Sequence, residues 1–272
     1  MYVNNKFKNS VFTMLFSNPD LLRELYCALG SVSLPPDVPV FINTLENVLF
    51  MDYNNDISFI IGGKLVVLAE HQSTINPNMA IRLLLYFSRV IEKMVKGSTL
   101  YSRKRITIPW PEFYVLYNGV DPFPDKAVLR LSDLFENPED LGLLSKTNPL
   151  LELEVKVINI NEGRNREIVN QCKELADYSA FIAKVRSYWN EVGDLEAAIR
   201  EAIKYCSRHG ILKEYLDVYG SEVLNMILTE WNTEDAIAFA REEGREEGRE
   251  EGLWTSPGFS DSRLSCNVRC EC

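Results

Sequence analysis

No stretch of this sequence approaches the roughly 20 consecutive apolar residues that a membrane-crossing helix needs, so no membrane partner is expected. The opening residues, MYVNNKFKNS, lack an apolar h-region. No secretory signal is therefore expected, and the expected compartment is the cytoplasm. Metal-type cysteine spacing is missing too. Of six cysteines, Cys27, Cys172 and Cys206 stand singly in helical-looking segments. Cys266, Cys270 and Cys272 crowd the end as CNVRCEC, without paired CxxC spacing or a histidine partner. No nucleophile elbow, P-loop or HExxH motif appears, which removes the common signatures of serine hydrolases, nucleotide phosphatases and zinc proteases. Basic charge is scarce: 29 Lys and Arg stand against 39 Asp and Glu, a net charge of -10. That argues against a general nucleic-acid binder. The shortage is uneven, however. Residues 1–130 hold 13 basic against 11 acidic residues, and the remainder holds 16 against 28. The N-terminal half can therefore still present a basic face to phosphates.

What is present is a globular composition, with 46% hydrophobic and 25% charged residues in a chain of 272. That is enough for one large or two modest cores. Residues 7–29 read as two helices broken at Asn18-Pro19, with Asn18 as a cap and proline in the first turn. The proline-rich stretch 34–41 reads as an extended loop, and TLENVLF (44–50) as a strand. A long helix is expected over 75–97, ended by Gly97. A basic loop, YSRKRITIPWPE, leads to an aromatic strand, EFYVLYNG (112–119), and LELEVKVINI (151–160) alternates as a further strand. From 165 to about 252 the pattern is helical, closing in the repeat REEGREEGREEG (241–252), where glycines weaken any helix. The last twenty residues abandon that pattern and carry no signal of a fold. Strands among helices, followed by an all-helical portion, predict a mixed α/β core with an all-α C-terminal region. The expected division is a core over 1–185, a helical region over 186–240, and the repeat with its tail over 241–272.

The informative segment is NNDISFIIGGKLVVLAEHQS (54–73). Two β-rich runs flank Gly62-Gly63, the mark of a hairpin. Two registers are open. A two-residue loop pairs Ile61 with Lys64 and sets Asp56 and Glu70 toward opposite sides. A three-residue loop pairs Ile61 with Leu65 and sets Asp56 directly opposite Glu70, and this is the favoured expectation. Opposite carboxylates about 5 Å apart repel each other unless a cation lies between them. Hard oxygen ligands of this kind suit Mg²⁺. Gln72 shares the face of Glu70, while His71 points the other way. The Gln72 amide can donate to a phosphate oxygen or orient a water, but it cannot act as a base. The plainer reading is a strand whose polar end simply meets solvent. Arg82 and Tyr86 share one helix face and are candidates to reach phosphate. Arg103, Lys104 and Arg105, with Lys93 and Lys96, form the best candidate patch for tracking a phosphate backbone.

The spacing from Asp56 to Glu70 and Gln72 resembles the PD-(D/E)XK nuclease motif, with glutamine in place of the usual lysine. More specifically, residues 44–95 resemble the Rpn group of bacteria, the recombination-promoting nuclease or transposase family. The likeness continues through FYVLYNG, RLSDLFENPE, LELEVKVININ, the helix LADYSAFIAKVRSYWNEVGDLEAAIREAI, EVLNMILTEWNTEDAIAFA and the REEG repeats, over roughly residues 5–252. The EHQS and NPNM pieces followed by Arg82 are the specific part. The resemblance implies a restriction-endonuclease-like fold: a central mixed sheet flanked by helices. It implies DNA cleavage dependent on Mg²⁺ or Mn²⁺ and a link to DNA recombination or transposition. Asp56 and Glu70 become metal ligands, Gln72 becomes the third member, and the His71 backbone carbonyl becomes a further ligand. DNA is the implied partner, met either through the N-terminal half or through a homodimer that concentrates its basic faces. The alternative is a catalytically inactive nuclease fold that serves as a protein-interaction module.

Overall fold

The structure is a computed structural model. It describes residues 10–42, 56–71, 76–95, 97–136, 149–229 and 231, and only the backbone of residues 56, 69–71, 98 and 99. The chain divides into two compact units, Met1–Glu230 and Trp231–Cys272, and nearly all of the second lies outside the described residues. The expected strand 44–50 and the REEG segment also lie outside them.

Asn18 breaks the first helical run as its sequence predicts. Helix α1 (Val11–Leu15) ends, the Asn18 side chain accepts from the Asp20 amide, and Pro19 opens α2 (Pro19–Gly30). Strand β1 (Val40–Ile42) follows. This corrects the all-loop reading of 34–41: once past Pro39 the backbone again has donors, and it joins the sheet at an edge, where a nearby proline is tolerated. Strands β2 (Asp56–Ile61) and β3 (Lys64–His71) form the hairpin. Helix α3 (Met79–Met94) then leads to β4 (Trp110–Tyr117), giving a parallel β3–α3–β4 crossover. Strand β5 (Lys126–Arg130), which the sequence reading did not anticipate, and β6 (Glu154–Asn159) complete the sheet. Helices α4 (Arg166–Val169), α5 (Lys173–Val192) and α6 (Leu195–His209) come next, with further helix over 213–229. The boundary expected at 185/186 falls inside α5, which runs unbroken through it.

The strand order is β1-β2-β3-β4-β6-β5, with β3, β4 and β6 parallel and the outer pairings antiparallel. The expected mixed sheet flanked by helices is therefore present. On one face, Leu65, Val67, Phe113, Val115, Val155 and Val157 pack with Met79, Leu83 and Val90 of α3. The fully buried Val66, Leu68, Tyr114 and Leu116 alternate with them and belong to the other face. There Tyr26 of α2 meets Phe59 edge-on, and Phe12 of α1 meets Tyr178 of α5.

The hairpin register differs from the favoured expectation. Ile61 pairs with Lys64 and Asp56 with Ala69, so the loop has two residues. The cause is the glycine pair. Gly62 and Gly63 have φ of 55° and 80°. Two consecutive positive φ values make the mirror-image turn whose twist matches that of the flanking strands.

A polar network sits near the turn end of the sheet. Lys64 Nζ donates to Glu112 Oε1 at 2.6 Å and to the Tyr26 hydroxyl at 2.9 Å, and the Tyr114 hydroxyl donates to Glu112 Oε2 at 3.1 Å. Lys156 Nζ lies 5.1 Å from the Tyr114 ring centre. Burial pushes the Glu112 carboxyl up, but the hydrogen bond and charge of Lys64 outweigh it and hold it below the usual carboxylate value. The bond to Glu112, followed by that to Tyr26, raises Lys64 above its ordinary range.

Candidate active site

The parallel strands β3, β4 and β6 end together. Glu70 pairs with Leu116, His71 with Tyr117, and Tyr117 in turn with Asn159. Because β2 runs antiparallel to β3, its first residue, Asp56, lies at this same edge. The carboxyl ends of parallel strands are where α/β sheets commonly carry their ligands. Three of the four motif residues thus reach one edge of the sheet, and Gln72 lies outside the described residues. The register also alters the argument. Asp56 is opposite Ala69, so positions 56 and 70 are one step out of register, their Cα atoms about 6 Å apart. Position 56 thus shares a face with 69 and position 70 belongs to the opposite face, so the direct opposition expected for a shared cation is absent and the two positions have only the end of the sheet in common.

The loops leaving β4 and β6 are held by an asparagine network. Asn159 Oδ1 accepts from the Asn161 backbone amide at 3.1 Å and from Asn161 Nδ2 at 3.0 Å. Asn161 Nδ2 also donates to the Gly119 carbonyl at 3.0 Å, and Asn159 Nδ2 to the Phe123 carbonyl at 3.0 Å. Asn165 Nδ2 donates to the Asn159 carbonyl at 2.9 Å. Arg186 of α5 closes the arrangement. Its guanidinium donates to Asn161 Oδ1 at 3.1 Å, to Asn118 Oδ1 at 3.4 Å and to the Asn118 backbone carbonyl. Asn118 is 1% exposed, and its amide nitrogen is buried without a hydrogen-bond partner. A buried donor left unmade costs about 1–3 kcal/mol, and functional sites are one place where that cost is retained. Asn118 directly follows Tyr117, the residue paired with His71, so this donor borders the edge that carries the motif.

The donor set fits a hard divalent cation. Two carboxylates and a backbone carbonyl are oxygen ligands of the kind Mg²⁺ and Mn²⁺ prefer. The orphaned Asn118 amide, one residue past the Tyr117 that pairs with His71, is a donor and so no ligand for a cation. Another ligand-capable group, Glu24, Cys172 and Glu174, brings its ligand atoms within 4.8 Å of one another. Burial pushes the Cys172 thiol up to about 12, so it is a poor source of the thiolate a metal would need.

The other sequence candidates do not gather at this edge. Tyr86 is buried, its hydroxyl donating to Ser58 Oγ at 2.6 Å, so it belongs to the packing of α3 on the sheet and faces no phosphate. Arg82 is half-buried, with Nη1 3.3 Å from Met79 Sδ. Lys93 is exposed in the last turn of α3, and Lys96 lies outside the described residues. Arg103, Lys104 and Arg105 are exposed on the loop that enters β4. Trp110 pairs with Lys64 at the turn end of the hairpin. Trp110, where the basic loop ends, is therefore separated from His71 by the length of β3, seven steps or about 23 Å.

A family model described as putative transposase, YhgA-like, matches residues 49–204. The chain belongs to this family. The match spans the segment from the hairpin through most of α6, and so includes the motif edge, Asn118, Asn161 and Arg186. No curated protein and no solved structure matches the chain. Membership in a transposase-type family agrees with the resemblance on which the nuclease reading rests. Sequence reasoning missed Asn118, Asn161 and Arg186. The available signal was an asparagine just past each of two apolar strands, in VLYNG and VININ.

Proposed function

We propose that this YhgA-like transposase-family protein is a DNA endonuclease that hydrolyses phosphodiester bonds with Mg²⁺ or Mn²⁺ and serves recombination or transposition. The observation that carries the reading is the meeting of Asp56, Glu70 and His71 at the edge where β3 and its parallel neighbours end. Family membership supports it. Asp56, Glu70 and the His71 carbonyl would hold the ion beyond the end of the sheet, where carboxylates leaving opposite faces can turn toward one another, and a bound ion would supply polarisation of a phosphoryl oxygen and a lowered pKa for an attacking water. Gln72 donates its amide to a phosphate oxygen or orients the water. Asn118 Nδ2 is a buried, unpartnered donor one residue past Tyr117, which pairs with His71. Arg186 grips both carbonyl groups of Asn118 and so fixes the direction of its amide.

The test is plasmid nicking by purified protein with and without Mg²⁺, beside Asp56→Ala and Glu70→Ala. Metal-dependent nicking by the wild type and none by either folded variant is expected. Retained activity in both variants refutes the assignment. In a parallel thermal melt, metal raises the melting temperature of the wild type and not of Asp56→Ala, because a ligand of the native state stabilises it by mass action. No nicking with Mg²⁺ or Mn²⁺ across several forms of DNA, together with no thermal shift, favours the inactive interaction module.

A further inference from the structure

The loop that enters β4 stands apart from the rest of the surface in both charge and shape. Between Glu92 and Glu112 the chain has no acidic residue, while it carries Lys93, Lys96, Arg103, Lys104 and Arg105. On the rest of the described surface, cations commonly meet carboxylates: Arg23 with Asp20, Lys126 with Glu167, Arg130 with Glu154 and Arg164 with Asp125. Among the described residues, Arg103, Lys104 and Arg105 enter no ion pair of this kind. This +3 run lies in a chain of net charge -10, so its cations are concentrated here against the overall trend.

Two aromatic residues bracket the run. Tyr101 ends a 3-10 turn (Gly97–Tyr101) and is 93% exposed, and Trp110 opens β4 and is 72% exposed. Aromatic rings of this size are normally core or interface residues, and full exposure forfeits their burial. The Trp110 backbone is nonetheless fixed, since its amide donates to the Gly63 carbonyl at 3.1 Å and its position pairs with Lys64. The loop therefore offers two exposed π-faces, that of Trp110 on backbone fixed to the sheet, with three cations between them outside any ion pair among the described residues. Exposed rings flanking a basic track are the elements that bind single-stranded nucleic acid: bases stack on the rings and phosphates meet the cations. A duplex offers no unstacked base to such rings.

We propose that the segment Tyr101–Trp110 is a single-stranded DNA-binding element, in which Tyr101 and Trp110 stack bases and Arg103, Lys104 and Arg105 contact the intervening phosphates. The proposal rests on the nuclease reading and extends it. The Trp110 end of the element lies about 23 Å from the motif edge along β3. It grips the substrate strand away from the bond that is cut, so the substrate is DNA with a single-stranded stretch beside the cleavage point.

The test measures fluorescence anisotropy of a labelled oligothymidylate, and of a duplex of equal length, with the full chain in EDTA. Tyr101→Ala and Trp110→Ala should each weaken oligothymidylate binding by about tenfold, in line with the loss of one stacked base, and leave duplex binding unchanged. Tyr101→Phe and Trp110→Phe keep the ring faces and should keep the affinity. Replacing Arg103, Lys104 and Arg105 by alanine should flatten the salt dependence of binding. Alanine variants that bind oligothymidylate like the wild type overturn the inference, as does an equal loss on both forms of DNA. Binding of anionic phosphatidylserine vesicles through Trp110, with no preference for the oligonucleotide, also overturns it and assigns the loop to a membrane surface. If the wild type nicks plasmid but the alanine variants bind normally, the loop assignment alone falls. If the wild type neither binds nor cuts DNA, the nuclease reading falls with it.

Discussion

Gly63→Ala tests the turn that sets the register of the motif hairpin. Gly63 has φ of 80°, and a Cβ built there meets nothing within 4 Å. The penalty is therefore purely conformational. Holding an L-residue in left-handed backbone costs about 1–2 kcal/mol, and the stiffer unfolded chain returns about 0.4–1 kcal/mol. The net expectation is a loss of about 1 kcal/mol, or a fall of about 2–4 °C in melting temperature for a body of this size. Gly63→Asn should recover at least half of that, because asparagine tolerates the left-handed region. Thermal and urea unfolding of the three proteins measure it. An alanine variant as stable as the wild type, or more so, refutes the two-residue turn. It would restore the alternative in which Asp56 stands directly opposite Glu70.

Glu112→Gln probes the network at the turn end. Lys64 holds the Glu112 carboxyl below its ordinary 4.5, so its stabilising effect is present above that pH and is lost as acid protonates the folded form. Lys64 is raised above its ordinary 10.5, so its share is present below that pH and is lost as alkali strips the folded form. The wild type should therefore lose stability on acidification below about pH 4.5 by a step that Glu112→Gln lacks; parallel curves of melting temperature against pH would contradict this. Arg186→Met removes the fork that holds Asn118 and Asn161, and a loss of about 2–3 kcal/mol in urea unfolding is expected. Arg186→Lys should recover little of it, since a point ammonium cannot reproduce the planar fork, and full recovery would show that charge alone matters.

The sequence made the regular elements readable where local chemistry decides them. Asn18-Pro19 marks the α1–α2 break, and apolar periodicity marks α3, β4 and β6. The two edge strands escaped for a physical reason. β1 is three residues following a proline, and β5 alternates between exposed and half-buried positions, so neither has the apolar run that marks a central strand. The hairpin was legible from Gly62-Gly63, but its register was not, because both loop lengths suit the same letters and only the paired positive φ values decide between them. At the candidate site, the hairpin signal was enough to bring positions 56 and 70 to one end of the sheet, but not to set whether they stand opposite one another. Arg186 could not: its contacts join residues 68 and 25 positions apart, which become neighbours only when β4, β6 and α5 assemble. Tyr86 was misjudged in the opposite sense, since an amphipathic pattern does not say which boundary tyrosine is sealed under the sheet.

The strand order has a consequence for the chain during its synthesis. β6 inserts between β4 and β5, although it is made after both. Until Asn159 has been added, β4 with its apolar run Phe113–Tyr117 lacks the neighbour that will cover one of its ladders. At ribosomal rates of about 5–20 residues per second, the 42 residues from Tyr117 to Asn159 leave that ladder open for about 2–8 s. An open apolar strand is a template for pairing with another chain. The nascent protein is thus most vulnerable to misassembly midway through its own translation, and a chain truncated between β5 and β6 should aggregate where the full chain does not.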